Sequence, residues 1–246
     1  MSGFLKNHPF AVEAFFESSL VLTFAAPAGE LQKLLPECLA IDSLHEQYGF
    51  IAVAMVQTKS LRPKGFPSFL GNDFFLIGYR IFVRYVTSEG KRLRGLYILR
   101  SETDKRLMNL LGNVFTHYNY SRTDISMKRE GTTQTIFSEQ SGFSVTVEDQ
   151  GEAVPLPAGS PFSDWKEARR FAGPLPFTFT YFPEKKEVLL IEGVRENWTP
   201  SPVHVKSYHF DFLDQLQIPG LQLANAFVIR NIPYYWKKGR IDPWKK

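Results

Sequence analysis

Short runs of alternating apolar and polar residues recur along the chain, broken by turn signals, and one stretch alone carries convincing helical periodicity over any length. Strand hairpins without a regular strand–helix–strand rhythm build antiparallel sheets, not a doubly wound parallel sheet. The alternation predicts strands at 18–26, 39–44, 48–59, 73–87, 92–100, 120–129, 132–138, 142–148, 176–182, 187–195, 203–213 and 223–230. Ser88-Glu-Gly-Lys reads as the hairpin turn between two of the longest. The 22 Phe and 10 Tyr suit a pleated, half-buried surface. The expected fold is therefore mainly β, with a few helices and a wide interior.

The helical stretch spans 102–118. Ser101 and Asp104 form a capping-box pattern at its start. Leu107, Leu110, Leu111, Val114, Phe115 and Tyr118 fall on one face, which is expected to be buried. Shorter helices are expected at 30–35 and 164–171, and 151–159 reads as a Pro-rich connection. The basic C-terminus, Trp236-Lys-Lys-Gly-Arg and then Trp244-Lys-Lys, reads as a solvated or frayed tail. No repeat or charge break divides the chain, so 1–246 is read as one domain with a core over about 10–235.

Several function classes drop out. Cys38 is the one cysteine, so no intramolecular disulfide forms and a reducing cytoplasm is the expected location. The N-terminus lacks a leader-type apolar region. Apolar runs such as 50–56 fall far short of the ~20 residues of a membrane-spanning helix, so no membrane partner is expected. The net charge of +4 is spread along the chain and no nucleic-acid motif stands behind it. There is no Gly-rich dinucleotide turn, P-loop, Gly-x-Ser-x-Gly elbow or His-Glu-x-x-His; no cofactor is expected. His209 and Asp211 share a strand face without a third ligand, so no metal site is expected either.

Charges misplaced on apolar strand faces are more informative. In the strand around 74–85, the odd positions are all apolar or aromatic, and Arg80 sits between Gly78 and Phe82 on the even face. Glu192 follows Val188 and Leu190 and precedes Val194 on one face of its strand. Lys206 lies on the face of Tyr208, Phe210 and Phe212. Burying any of these unpaired is costly. Each therefore lines a pocket wall, pairs, or stays in solvent. In the pocket reading, Arg80, Glu192 and Lys206 grip a small anion: Arg offers a bidentate fork for a carboxylate, and a desolvated Lys can form a Schiff base.

Ser18-Ser-Leu-Val-Leu-Thr-Phe, Leu31-Gln-Lys-Leu-Leu-Pro-Glu, Arg62-Pro-Lys-Gly-Phe-Pro, Phe75-Leu-Ile-Gly-Tyr-Arg-Ile-Phe-Val, Arg94-Gly-Leu-Tyr-Ile-Leu-Arg-Ser and Trp198-Thr-Pro-Ser-Pro follow in order. Together they resemble the YqjF-like family of uncharacterised proteins, a branch of the acetoacetate decarboxylase-like superfamily. The resemblance implies a closed cone-like barrel around a central cavity. It also implies, for the decarboxylase proper, a lysine imine beside a second lysine, with a glutamate and an arginine in the pocket. Arg80 matches the family's strand arginine, and Tyr97 of the next strand motif joins the expected lining. The acidic and Asn positions that usually precede that arginine are here Leu76 and Gly78. Lys105, followed by Arg106, stands where the lysine pair is expected, yet at 100° per residue it points about 160° away from the apolar stripe.

Two functions from different classes follow. One is non-covalent binding of a small carboxylate-bearing molecule by Arg80, Glu192, Lys206 and Tyr97. The other is a lyase acting on a small oxo acid through an imine on Lys206 or Lys105. A third reading has the aromatic side chains filling the cavity and the protein acting through its surface.

Overall fold

The computed structural model describes residues 5–149, 154–171, 175–195 and 198–244. In chain order its elements are β1 (Val12–Pro27), α1 (Ala28–Gln32), β2 (Ala40–Ile41), β3 (Tyr48–Pro63), β4 (Asn72–Val86), β5 (Arg92–Thr103), α2 (Arg106–Phe115), β6 (Tyr120–Arg122), β7 (Ser126–Glu130), β8 (Thr133–Ser138) and β9 (Phe143–Glu148). There follow α3 (Trp165–Phe171), β10 (Phe177–Phe182), β11 (Glu187–Arg195), β12 (Ser201–Pro202), β13 (His204–Phe210), α4 (Asp211–Gln215), β14 (Gln222–Trp236) and β15 (Arg240–Pro243).

Seven strands pair in the order β14-β1-β3-β4-β5-β10-β11, and β11 pairs back to β14. Every contact in this ring is antiparallel except β5 with β10, which is parallel. A second sheet, β13-β9-β8-β7, lies apart from it.

Alternation gives each ring strand two different faces. One carries large apolar side chains: Leu22 and Phe24 of β1, Ile51 and Val53 of β3, and Ile77, Tyr79, Ile81 and Val83 of β4. These pack with Ile136, Phe143, Val145 and Phe210 of the second sheet in one continuous core. Full burial of each such side chain stabilises the fold by about 1.5–3 kcal/mol. The other face is more mixed, with small residues such as Ser19, Thr23, Ala52, Ala54 and Gly193 among larger ones such as Phe74, Phe82 and Phe227, and lines a cavity.

Three expectations are corrected. The helix begins at Arg106 and not 102, because Glu102 and Thr103 are still strand: they pair with Ile77 and Leu76 and are fully buried. The capping box therefore does not form. The buried side of α2 is Met108 and Gly112, while Leu107 and Leu110 are 52% and 61% exposed. Gly112 decides this, since a Cβ there would overlap the Tyr120 ring; the helix is pressed onto Tyr120 at its one smooth position.

The third correction concerns the C-terminus. Up to Trp244 the basic segment is solvated but not frayed: β14 continues to Trp236, β15 pairs with β11, and Lys237, Lys238 and Arg240 are exposed. Asp242 is 3% exposed and accepts hydrogen bonds from Tyr85 Oη at 2.6 Å, the Ser88 amide at 2.9 Å and Ser88 Oγ at 2.9 Å. Burial by itself would raise its carboxyl pKa, but these bonds outweigh burial and hold it below the usual value. Asp242→Ala strands the buried Tyr85 hydroxyl, and urea denaturation should show a loss of about 3 kcal/mol. A variant as stable as wild type would mean that the tail contributes nothing to the fold.

Candidate functional site

The cavity-side face of all seven ring strands, with Met108 of α2 and Tyr118 and Tyr120 beyond it, surrounds a cavity of about 170 Å³. For scale, about 150 Å³ of apolar cavity holds a benzene. The aromatic side chains therefore do not fill it. Its wall is mostly apolar, with Val21, Val56, Phe74, Leu76, Ile98, Ile191 and Phe227 contributing.

Two guanidinium groups interrupt that wall, Arg80 of β4 and Arg195 of β11. Arg80 is aimed by two local features. A bulge shifts the β4–β5 register between Tyr79 and Arg80, leaving Leu99 as the extra residue between Arg80↔Ile98 and Tyr79↔Arg100; such bulges redirect side chains. Gly78 supplies the room, because a Cβ there would stand 2.9 Å from Arg80 Nε. Arg195 ends β11, and its guanidinium carbon lies over Trp198, 4.1 Å from the ring centroid, and 5.7 Å from that of Tyr234. Tyr234 in turn stacks on Phe16 at 4.7 Å.

Arg80 Nε, Arg195 Nε and Trp198 Nε1 are all buried with no hydrogen-bond partner among the described residues. No Asp, Glu or Lys is among the described residues lining the cavity. Two buried carboxylates elsewhere in the fold have arginine partners, although the second oxygen of Glu102, Oε2, has none among the described residues. Asp42 accepts from Arg84 Nε at 2.5 Å and Arg94 Nε at 2.6 Å, and Glu102 accepts from Arg100 at 2.6 Å. Burial lowers the Arg195 pKa; Tyr234 counteracts this and the charge on Arg80 adds to it. Burial raises the Tyr118 hydroxyl, which shares a 2.6 Å hydrogen bond with Thr178 Oγ1, and pushes Tyr120 up to about 12 with Arg80 opposing. These phenols are neutral donors at physiological pH. The polar lining thus combines hydroxyl groups with two positive charges and no carboxylate among the described residues.

Of the residues singled out from sequence, only Arg80 lies on this cavity. Glu192 is on the opposite face of β11 and accepts from Lys237 Nζ at 2.9 Å. Lys206 is the extra residue of a bulge between Val205↔Val147 and Ser207↔Thr146. The strict alternation assumed for its strand breaks there, and the amine is 42% exposed, 3.3 Å from Glu148. Tyr97 packs into the core while its neighbours Leu96 and Ile98 line the cavity. Lys105 precedes α2, is 55% exposed and lies 3.6 Å from Asp104. Cys38 is buried, with its thiol pushed up to about 12 by that burial. Asp214 of α4 joins His209 and Asp211 in an exposed cluster whose members do not line the cavity.

Arg195 went unnoticed in the sequence because the informative face of β11 is Leu189, Ile191, Gly193 and Arg195, the complement of the face that carries Glu192. The signal existed: a charge two residues from a glycine on an apolar face, the pattern of Gly78 and Arg80 again.

A strand ring backed by a second sheet, with this interior cavity, is the acetoacetate decarboxylase-like fold. Acetoacetate decarboxylase from Legionella pneumophila subsp. pneumophila str. Philadelphia 1 superposes with a TM-score of 0.63 at 11% identity, over 97% of this chain and 90% of that one. An acetoacetate decarboxylase-like enzyme from Sphingomonas wittichii RW1 gives 0.53 at 13% identity, over 97% and 92%. The enduracididine biosynthesis enzyme MppR, complexed with pyruvate, gives 0.55 at 11% identity, over 95% and 90%. The chain itself belongs to the DUF2071 family, an uncharacterized conserved protein family that it matches over residues 14–233. Comparison with curated proteins finds no match. Among the described residues, no helix is long and apolar enough to cross a membrane.

His8 also lines the cavity and is 6% exposed, and burial lowers its pKa from 6.5. A depressed folded pKa means that the unfolded chain binds the proton more tightly. The associated stability is fully present above pH 6.5 and is lost as pH falls below that value. The melting temperature should drop as pH falls from about 6.5 to 5.5, above the range where most carboxylates titrate, and His8→Gln should reduce the drop. An identical drop in the variant would assign the effect to other groups, of which His117, also lowered by burial, is the first.

Proposed function

We propose that the strand ring is a closed, cone-like barrel whose central cavity binds a small carboxylate-bearing molecule without forming a covalent bond to it. The observation that carries this reading is the presence of two guanidinium groups, Arg80 and Arg195, in an apolar cavity with no carboxylate partner among the described residues. An unpaired buried charge is costly, so a fold keeps one where a ligand completes the pair. Arginine forms parallel hydrogen bonds to a carboxylate. The apolar wall takes the rest of the molecule. Pyruvate in the related MppR structure is a carboxylate of fitting size and supports the same class of ligand.

The imine reading requires an amine in the cavity. Lys105 and Lys206 lie on the exterior, and the described lining residues include no lysine. The third reading, a protein acting through its surface with a filled interior, is disfavoured by the volume that remains.

The test uses calorimetry and thermal shift with pyruvate, acetoacetate and other small carboxylates. Saturating ligand should raise the melting temperature, with ~2.7 kcal/mol of stabilisation at a hundredfold excess over Kd. Arg80→Gln should weaken binding by roughly tenfold or more. Borohydride reduction in the presence of either oxo acid should leave the intact mass unchanged. A mass adduct on a lysine would replace this account with imine chemistry, and no binding by any carboxylate would remove it.

A further inference from the structure

We infer that the cavity selects a small dianion over a monoanion of the same size, a selectivity that rests on the binding reading above. Each arginine contributes a guanidinium cation, so the site presents two positive charges. No carboxylate on the described lining residues offsets them. Each Nε is buried and unpartnered, and so is the Trp198 indole N–H, which can only donate. A ligand with a single carboxylate pairs one guanidinium and leaves the other desolvated beside it. A ligand with two negative charges pairs both and removes their mutual repulsion.

The stacking around Arg195 fits a fixed second anchor. Trp198 and Tyr234 hold its guanidinium by their ring faces, which leaves the N–H edges free to donate. Gly193 lets this arrangement exist, because a side chain there would collide with the Tyr234 hydroxyl. Arg80 has its own clearance at Gly78. Two separately positioned forks on an apolar wall match two carboxylates joined by a short carbon chain. They match equally the doubly charged head of a phosphate monoester, and the shared chemistry is the second negative charge.

The experiment compares butyrate with succinate, four-carbon acids that differ in one carboxylate, by calorimetry at about pH 8, with methyl phosphate as a third probe; its second pKa near 6 makes it a dianion there. Succinate or methyl phosphate should bind at least tenfold tighter than butyrate, and whichever leads identifies the geometry of the dianion. Arg195→Gln should bring the dianion to within two- to threefold of butyrate while butyrate affinity stays within a similar factor. Arg195→Lys, which retains the charge, should preserve part of the preference. Circular dichroism confirms that each variant is folded, and if neither folds, the wild-type comparison alone decides. Equal affinity for butyrate and both dianions would overturn the dianion inference and leave carboxylate binding intact. Failure of all three probes to bind, with Arg80→Gln indistinguishable from wild type, would overturn both.

Discussion

Three residue pairs between β11 and β14 close the strand ring: Gly193↔Trp236, Val194↔Tyr235 and Arg195↔Tyr234. The rest of the site depends on this short seam. Without it the cavity would be an open trough, and Arg195 would sit at a strand end in solvent. The seam itself depends on Gly193, since any Cβ there would overlap the Tyr234 hydroxyl. One glycine thus fixes the distance between two strands, seats Tyr234 against Phe16, and presents Arg195 to the interior over Trp198.

Charge is treated in two ways within the same fold. Asp42 and Asp242 are deeply buried and each is satisfied by two or more donors. Arg80 and Arg195 have their Nε groups buried with no partner among the described residues. Leaving such groups unpaired costs far more than an ordinary unmade hydrogen bond. In the binding function proposed above, the missing partner is the ligand, and the apolar wall strengthens its attraction, because electrostatic attraction grows as the local dielectric falls.

The fold was more legible than the site. The alternation in β4 was long and unbroken enough to place Arg80 on the face opposite Ile77, Tyr79 and Ile81, and glycine beside it was a visible sign of clearance. The ordered strand motifs carried the superfamily. Three things defeated the pattern. Lys206 sits in a bulge, which shifts every later side chain of its strand by one face. Helix α2 looks amphipathic, but Gly112 and not the leucine stripe meets the sheet, because contact there is set by backbone approach to Tyr120. Arg195 carries the same glycine-spaced signal as Arg80, but it lies on the complement of the face that Glu192 made conspicuous, and its contact with Trp198 is not a matter of strand alternation. Glu192 illustrates the same limit, since either face of an apolar strand can be the inward one.

The two guanidinium groups can be observed directly. Their Nε–Hε resonances, assigned by the loss of one signal in each Arg→Lys variant, can be followed by ¹⁵N nuclear magnetic resonance during titration with succinate or pyruvate. The signals of Arg80 and Arg195 should shift together and saturably, while those of Arg84 and Arg94, already held by Asp42, stay in place. Shifts spread evenly over all arginines, or none at Arg80 and Arg195, would contradict an anion site in the cavity.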